Sequence, residues 1–413
     1  MGTGLQVLLA GTVVFTLVVL LLALAVLGAR RVFAPSGVAV VRINGRRVAR
    51  GPLGSRLLSL LMDNGVYLPA ACGGRGACGQ CRVEVVGDAP PWTAVEAAHL
   101  TAREVSAGVR LACMLVLRED LQITVPEALL GARRWACQVQ SSRCITTLMK
   151  EIVLRLPTGE QMAFEAGSYV LVEAPPHRVR FADFDIDAAY RPYWQRLGLL
   201  ELASITAEPA LRAYSLANPP AEGTELVLTV RIALPPPDTP PETAPGQVSS
   251  WLFSLVAGDS VLVSGPFGAF RASDSDREMV LIGGGAGIAP MRSIILDQLE
   301  HRCTGRRISF WYGARNLREL CYRTQFDALA ARHGNFRWHA ALSEPEPGSA
   351  WQGPVGFIHD VVRERFLGAL PAPEDLEYYV CGPPLMNVAV IQMLEDLGVD
   401  RDGIYLDDFG EPT

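Results

Sequence analysis

Four cysteines in the first third of the chain have a spacing that suits an iron–sulfur cluster. Cys72, Cys78 and Cys81 stand in a C-x5-C-x2-C pattern, and Cys113 follows after 31 further residues. Four thiolates in such a pattern suit two irons bridged by two sulfides, a 2Fe-2S cluster. The glycines at 73, 74, 76 and 79 allow positive φ angles that turn backbone N–H groups toward the sulfurs. The sequence therefore predicts a 2Fe-2S site.

A structural zinc site is the competing interpretation, because C-x2-C also occurs there. Zinc sites typically use two separated pairs of ligands, whereas here three ligands lie within ten residues and the fourth comes alone. The plant-type spacing has four residues between the first two cysteines rather than five, which leaves the reduction potential open. The other cysteines are predicted to be small packed hydrophobic side chains: Cys137, Cys144, Cys303 and Cys321.

Two turns in the last third of the chain have the residues to hold a dinucleotide. The first lies between a predicted strand and a helix that carries Pro290, and its free N–H groups suit a pyrophosphate; it consists of Gly283, Gly284, Gly285, Ala286 and Gly287. Ile288 stands where G-x-G-x-x-G requires its third glycine, which disfavours a Rossmann dehydrogenase. The second turn, Cys381-Gly382-Pro383-Pro384, could bring a thiol near a nicotinamide ring, although alone it is typical of an ordinary turn.

Two motifs in the middle of the chain have the parts for a flavin nucleotide. Arg212, Tyr214 and Ser215 place an aromatic face and a hydroxyl beside a guanidinium, and Asn218 follows. The second motif is a serine-rich helix start whose free N–H groups can hold a phosphate: Gly246, Gln247, Val248, Ser249 and Ser250. Each motif alone is unspecific, because R-x-Y-S is a frequent strand end and paired serines are ordinary caps.

A C-terminal aromatic, Phe409, follows the predicted last strand. We expect it to cover the flavin where a nicotinamide must enter. The alternative is that it packs the edge of the sheet.

Two kinds of fold must position these motifs. Short β-rich runs separated by turns predict a closed antiparallel barrel, with strands at 136–140, 151–156, 169–173, 226–232 and 260–264. From residue 276 strands and helices alternate, which predicts a parallel sheet covered by helices on both faces. Ligands of such sheets bind at the carboxyl ends of the strands, where both dinucleotide turns fall.

Two stretches interrupt the predicted barrel. Residues 234–246 hold six prolines and are predicted to form a stiff surface loop. Phe181 to Trp194 carries five aromatic residues among acidic ones. This stretch is either a docking surface for a partner or a membrane, or a loop folded back onto its own barrel.

The N-terminus has the composition of a membrane anchor. Residues 1–29 carry no charge, and Leu5 to Leu27 is almost wholly apolar, long enough to cross a hydrocarbon layer of ~30 Å. Arg30 and Arg31 predict a cytoplasmic C-terminal flank, with the N-terminus outside. The alternative, a cleaved signal peptide, would need a basic segment before the apolar run. In the reducing cytoplasm clustered cysteines indicate metal binding or catalysis.

These observations predict a multidomain chain. The expected parts are a transmembrane helix at 1–31, an α+β ferredoxin-like (β-grasp) 2Fe-2S domain at 32–129, an antiparallel β-barrel FAD domain at 130–275 and an α/β parallel-sheet NAD domain at 276–413. The net charge of −6 without a basic block argues against nucleic acid as a partner.

The glycine turn, the CGPP turn and R-x-Y-S together resemble the ferredoxin-NADP reductase superfamily. With the cysteine module and the anchor added, the chain is most similar, essentially end to end, to the family formed by the F subunits of the sodium-translocating NADH:quinone reductase. The typical stretches are 212–215, 310–315, 356–359 and 406–410.

This resemblance implies a role for each motif. Arg212, Tyr214 and Ser215 would bind FAD, with Tyr214 against the ring and Ser215 near N5, and residues 246–250 would hold its phosphates. NADH would bind at 283–287 and 381–383, and Phe409 would shield the flavin. Electrons would pass to integral membrane subunits of the same complex, reach ubiquinone and drive Na⁺ outward across the bacterial inner membrane. Arg315 and Arg318 leave NADPH open, since an arginine there can accommodate a 2′-phosphate.

The predicted chemistry is hydride transfer from the nicotinamide to flavin, then single electrons through the cluster. Ser215 and Cys381 would orient the reactants. One rival is the reductase component of a multicomponent oxygenase, which shares the three modules but is expected to lack the apolar N-terminus. Another is a non-catalytic iron–sulfur subunit, against which the flavin and nucleotide motifs argue.

Overall fold

A computed structural model describes residues 2–33, 37–236, 239–240 and 243–408, with side chains at 10–25 in the first of these ranges. The chain forms two compact units: Met1–Asn64 with Arg82–Val125, and Gly65–Cys81 with Pro126–Thr413. The segment that carries three of the four clustered cysteines therefore belongs to the second unit. The domain boundaries given above remain predictions.

The first unit is built on a five-stranded mixed sheet. Its strands are β1 (Val38–Ile43), β2 (Arg47–Pro52), β3 (Arg82–Val85), β4 (Val109–Leu111) and β5 (Leu121–Thr124), in the order β2-β1-β5-β3-β4. β1 and β2 form a hairpin whose turn residues Asn44 and Gly45 both have positive φ, as primed turns require. β5 lies parallel to β1. With its short helices this is an α+β arrangement.

The helices of this unit are α1 (Gly2–Phe33), α2 (Leu57–Asp63), α3 (Ala94–Ala97) and α4 (Ala102–Ser106). α2 begins no earlier than Leu57 because the N–H groups of Leu57 and Leu58 donate to the carbonyls of Leu115 (2.9 Å) and Ala112 (3.0 Å) and not to carbonyls four residues earlier.

Among the residues whose side chains are described, no helix is both long and apolar enough to span a bilayer. The predicted transmembrane helix is thus not confirmed.

The second unit contains an antiparallel barrel. Its strands lie in the order β11-β8-β13-β6-β7-β12: β6 (Arg133–Thr146), β7 (Met149–Arg155), β8 (Tyr169–Ala174), β11 (Ala210–Ser215), β12 (Glu225–Arg231) and β13 (Ser260–Phe267), with β9 (His177–Arg180) and β10 (Ala203–Thr206) as a separate ribbon. A bridge between Leu216 and Leu228 links the two outer strands and closes the barrel. Two helices accompany it, α5 (Arg191–Arg196) and α6 (Gln247–Ser254).

The aromatic stretch from Phe181 to Trp194 packs into the barrel core. Phe181 and Trp194 are fully buried and Phe184 is nearly so. The Trp194 indole donates to the carbonyl of Thr147 at 2.7 Å, and its ring stacks against Phe253. The folded-back interpretation is therefore confirmed, and a docking role for these three side chains is wrong.

A parallel sheet forms the rest of the second unit. Its strands are β14 (Met279–Gly284), β15 (Ile308–Ala314), β16 (Phe336–Leu342), β17 (Glu377–Cys381) and β18 (Ile404–Asp407), in the order β16-β15-β14-β17-β18. Helices α7 (Ile288–Leu296), α8 (Arg323–Arg332), α9 (Ile358–Arg365) and α10 (Pro384–Asp396) alternate with them. Buried apolar clusters line both faces of the sheet, as in doubly wound folds.

The isolated cysteines differ in exposure. Cys137 and Cys321 are buried and Cys144 is half-buried, but Cys303 is exposed. The prediction that all four are packed hydrophobic side chains is wrong for Cys303, which lies in the positive-φ turn after α7.

Candidate functional site

The two predicted dinucleotide turns meet at the ends of neighbouring strands. β14 and β17 are adjacent and parallel, with Gly283 opposite Cys381. A Cβ at Gly287 would lie 2.0 Å from the carbonyl oxygen of Cys381, so a glycine is needed for α7 to start this close to β17. The chain leaves β14 toward β15 on one side and returns as β17 on the other. This strand order makes a ligand crevice at these two ends.

A cavity of ≈ 500 Å³ opens at this crevice, a size typical of ligand pockets. Gly284, Gly285 and Pro383 line it on the sheet side, and Met149 and Tyr193 on the barrel side. Arg231 at the end of β12 also lines it, and a Cβ on Gly285 would be 3.4 Å from its guanidinium. This positive charge beside the glycine turn fits a pyrophosphate. The sequence offered no signal for Arg231 beyond a basic residue at a strand end.

Three side chains from separate strands converge beside the crevice. The Ser215 hydroxyl donates to Asp407 Oδ2 at 3.3 Å, and Cys381 Sγ lies 3.8 Å from the same oxygen. Burial raises the pKa of Asp407 to about 6, against the hydrogen bonds from Ser215 and Cys381, which lower it. Burial, followed by the charge of Asp407, raises the pKa of the Cys381 thiol. At neutral pH the carboxylate thus accepts from a hydroxyl and a protonated thiol.

Asp407 was missed from the sequence, although Ser215 and Cys381 were predicted. Its signal was the Asp407-Asp408 pair directly after the last strand, which also reads as an ordinary polar terminus. Phe409, predicted to cover the flavin, lies outside the described residues.

The flavin motif occupies β11. Arg212 is half-buried and donates to the carbonyls of Cys72 (3.0 Å) and Leu211 (2.5 Å). Burial, and then the nearby charge of Arg75, lowers the pKa of Arg212. Tyr214 packs against the barrel core, and burial raises its pKa.

Asn218 has a structural role. Its Oδ1 accepts from the Val227 N–H at 2.9 Å, and its Nδ2 donates to the carbonyls of Glu225 (2.9 Å) and Glu222 (3.4 Å). These bonds hold the turn between β11 and β12. The expectation that Asn218 binds the cofactor gains no support from this geometry.

The start of α6 fits a phosphate. Gly246 is its N-cap, and a Cβ there would meet the Ala233 side chain at 2.6 Å. Ser249 Oγ donates to the Gly246 carbonyl and accepts from the Ala233 N–H, both at 3.1 Å. Ser250 is fully buried, and its hydroxyl has no partner among the described residues. Because an unpaired buried hydroxyl costs about 1–3 kcal/mol, Ser250 suits a ligand oxygen at this helix N-terminus.

The loop from Cys72 to Cys81 has the backbone that its glycines predicted, since all four have positive φ. The sulfurs of Cys72 and Cys78 are 3.4 Å apart. Two thiolates on one tetrahedral metal, with bonds of ~2.3 Å, would be about 3.8 Å apart. The hydrogen bond from Cys78 lowers the pKa of Cys72. The pair therefore fits two ligands of one iron.

Cys81 and Cys113 are both buried, and Cys113 belongs to the first unit. Within the described ranges no group of three or more His, Cys, Asp or Glu side chains is arranged to hold a metal ion. Four thiolates of a 2Fe-2S cluster are shared by two irons, so each iron needs only a pair.

Known proteins resemble the chain in sequence and in fold. Residues 41–118 match the 2Fe-2S iron-sulfur cluster binding domain, and residues 281–392 match the oxidoreductase NAD-binding domain. The F subunit of the Na(+)-translocating NADH-quinone reductase of Yersinia enterocolitica is 48% identical, covering 97% of this chain and 98% of that protein. The corresponding protein of Klebsiella pneumoniae gives the same values. The cytochrome P450 reductase of Amycolatopsis is 26% identical with a TM-score of 0.64, covering 91% of this chain and all of that one.

Proposed function

This chain belongs to the family formed by the F subunits of the Na(+)-translocating NADH-quinone reductase, and on that premise we propose how its residues carry electrons from NADH toward a quinone. It is part of an NADH:quinone oxidoreductase that uses FAD and a 2Fe-2S cluster. The observation that carries the residue assignment is the convergence of Ser215, Cys381 and Asp407 beside the dinucleotide crevice. The oxygenase-reductase alternative is less well supported, since the cytochrome P450 reductase of Amycolatopsis is 26% identical, against 48% for the F subunit of Yersinia enterocolitica.

Flavin is the necessary intermediate carrier, because it exchanges two electrons with NADH and single electrons with a 2Fe-2S cluster. The residues supply binding and orientation. Arg212 and Tyr214 hold the ring, and Ser250 with the start of α6 holds a phosphate. Asp407 holds the Ser215 hydroxyl and the Cys381 thiol in fixed orientations, which keeps the two reacting rings in position.

NADH would bind along the crevice. The N–H groups after β14 and the guanidinium of Arg231 bind its pyrophosphate. Arg315 lies 3.8 Å from Glu344, and Arg318 lies 3.4 Å from Glu346. These carboxylates neutralise the charges of the two arginines and would repel a 2′-phosphate. The pairing therefore supports NADH as the substrate in preference to NADPH.

Cys72, Cys78, Cys81 and Cys113 bind the cluster in this proposal. Electrons leave it for integral membrane subunits of the same complex and reach ubiquinone indirectly. The family membership supports this route.

The N-terminal helix α1 anchors the chain as a single pass in the bacterial inner membrane, with the N-terminus outside and the rest cytoplasmic. This proposal is supported by a run of exposed large apolar side chains on the helix, including Phe15 (71% exposed) and Leu21 (62%). Arg30 and Arg31 follow the run and set the orientation.

The proposed order of carriers can be tested by absorption and EPR spectra before and after NADH. Cys72→Ser should abolish the cluster signal while NADH still bleaches the flavin. Cys381→Ala should slow bleaching, by about tenfold if one orienting contact is lost, and keep the cluster. Loss of NADH oxidation by an artificial two-electron acceptor in Cys72→Ser would refute the order.

A further inference from the structure

Tyr169 connects the flavin-binding strands to the cysteine loop within the second unit. It opens β8 and lies directly opposite Ser215 of β11. Its side chain is 7% exposed, and its ring packs on Phe267 with centroids 5.7 Å apart. A Cβ on Gly268 would come within 3.1 Å of the ring. The ring is therefore held in one position.

The hydroxyl of Tyr169 donates to Oε1 of Gln80 at 2.7 Å. Gln80 stands between Gly79 and Cys81, two residues after Cys78. Burial, followed by the nearby Cys78 and Asp407, raises the pKa of Tyr169, so the hydroxyl keeps its proton. One side-chain hydrogen bond thus joins the strand beside Ser215 to the loop segment between Cys78 and Cys81.

The other end of the loop is attached separately. Arg212 donates to the Cys72 carbonyl at 3.0 Å, and the Ala213 N–H donates to the Ala71 carbonyl at 3.4 Å. These bonds hold the Cys72 end, whereas the Tyr169–Gln80 bond holds the end with Cys78 and Cys81. Each end of the loop is therefore fixed to the barrel by its own contacts.

We propose that Tyr169 is a positioning residue that, through Gln80, fixes the loop segment between Cys78 and Cys81, orients its backbone N–H groups toward the cluster sulfurs and thereby sets the reduction potential of the cluster. This inference rests on the proposed function. Hydrogen bonds to the sulfurs stabilise the additional negative charge of a reduced cluster and raise its potential. Outer contacts that orient such donors change the properties of metal sites without touching the metal.

The test is a potentiometric titration of the full-length holoprotein, followed by the EPR signal of the reduced cluster. Tyr169→Phe should lower the affinity of the cluster for an electron roughly tenfold, which is about 59 mV for a one-electron couple. Gln80→Leu should give the same shift from the other end of the bond. The potential of the double variant should shift no further than that of either single variant, because each single change already breaks the Tyr169–Gln80 hydrogen bond. Additive shifts, or none, would overturn the inference.

Tyr378→Phe is the matched control. The Tyr378 side chain is fully buried, and its hydroxyl donates to the Pro373 carbonyl at 2.8 Å, within the parallel sheet and away from the cysteine loop in sequence. The cluster of the Tyr378→Phe variant should have the same reduction potential as that of the wild type. If its potential shifted as much as in Tyr169→Phe, the shift would be a general effect of losing a buried hydroxyl, which would overturn the inference. Bleaching of the wild-type flavin by NADH distinguishes a failure of the proposed function from a failure of the role of Tyr169. Without bleaching the proposed function fails, whereas bleaching with unshifted variants refutes only the role of Tyr169.

Discussion

At the scale of single residues, the proposed reaction centre depends on one shared acceptor. Ser215 ends a barrel strand, whereas Cys381 and Asp407 end adjacent parallel strands and lie opposite each other. Because parallel strands end at one edge of the sheet, the carboxylate of Asp407 reaches the thiol of Cys381. The Ser215 hydroxyl reaches the same carboxylate from the barrel. A half-buried carboxylate with an elevated pKa is typical of functional sites.

Asp407 should make stability depend on pH. Burial raises its pKa from 3.8 to about 6, so folding favours the protonated form. This contribution is complete below about pH 4 and is lost as the pH rises through about 6. Asp407→Asn stays neutral, so its stability relative to the wild type should increase from about pH 5 to about pH 8. The partly exposed side chain limits the change to on the order of 1–2 kcal/mol.

Melting temperatures of both proteins at the two pH values measure this difference. Asp402→Asn removes an exposed carboxylate in the preceding turn and is the control. The proposed contribution of Asp407 to stability is wrong if the melting temperatures of its variant and of the control depend on pH in the same way. The Asp407 variant should also reduce flavin more slowly with NADH, since the two orienting contacts weaken.

At the scale of elements, the insertion between β9 and β10 stabilises the flavin barrel. Phe181, Phe184 and Trp194 form one aromatic cluster with Phe253 of α6, with ring centroids 4.7–6.2 Å apart. α6 is the helix whose first turn is proposed to hold the FAD phosphate. The insertion therefore supports the cofactor site by packing against α6. Tyr193, near the end of the insertion, lines the nucleotide cavity.

Trp194→Ala should destabilise the barrel strongly. It removes a fully buried indole and its 2.7 Å bond to Thr147, a change that costs about 3–5 kcal/mol. We expect FAD to be released at a lower temperature, as measured by flavin fluorescence during heating. Trp92→Ala removes an indole that is 51% exposed and should leave the release temperature nearly unchanged. Equal effects of both changes would argue against a packing role.

At the scale of the whole molecule, the flavin and nucleotide sites and the proposed anchor occupy different parts of the chain. All described residues of the flavin and nucleotide sites belong to the second unit, whereas α1 belongs to the first. A change on α1 should therefore affect membrane attachment and spare NADH oxidation.

Leu20→Arg tests this separation in the full chain. Leu20 is 54% exposed on α1, and an arginine at the centre of a spanning helix costs about 2.5–3.5 kcal/mol. The variant should leave the membrane fraction, as measured by sedimentation, while NADH still bleaches its flavin. Leu197→Arg changes a leucine of similar exposure, 48%, beyond the first unit and should stay membrane-bound. Identical sedimentation of both variants would contradict the anchor.

The sequence by itself determined the features that depend on local backbone chemistry. The glycine conformations of the cysteine loop and the alternation of strands and helices after residue 276 were both predictable, because turn residues and periodicity act over a few positions. The pairing of the glycine turn with the CGPP turn followed from the general rule for parallel sheets. Short motifs were therefore enough to indicate the cofactors.

Only the tertiary structure decided which distant side chains meet. It placed Asp407 against Ser215 and Cys381, brought Arg231 to the glycine turn, used Asn218 for a turn and buried the aromatic insertion. These outcomes depend on which strands become neighbours and which faces are covered. That choice is made by packing between residues far apart in the chain, so no local pattern records it.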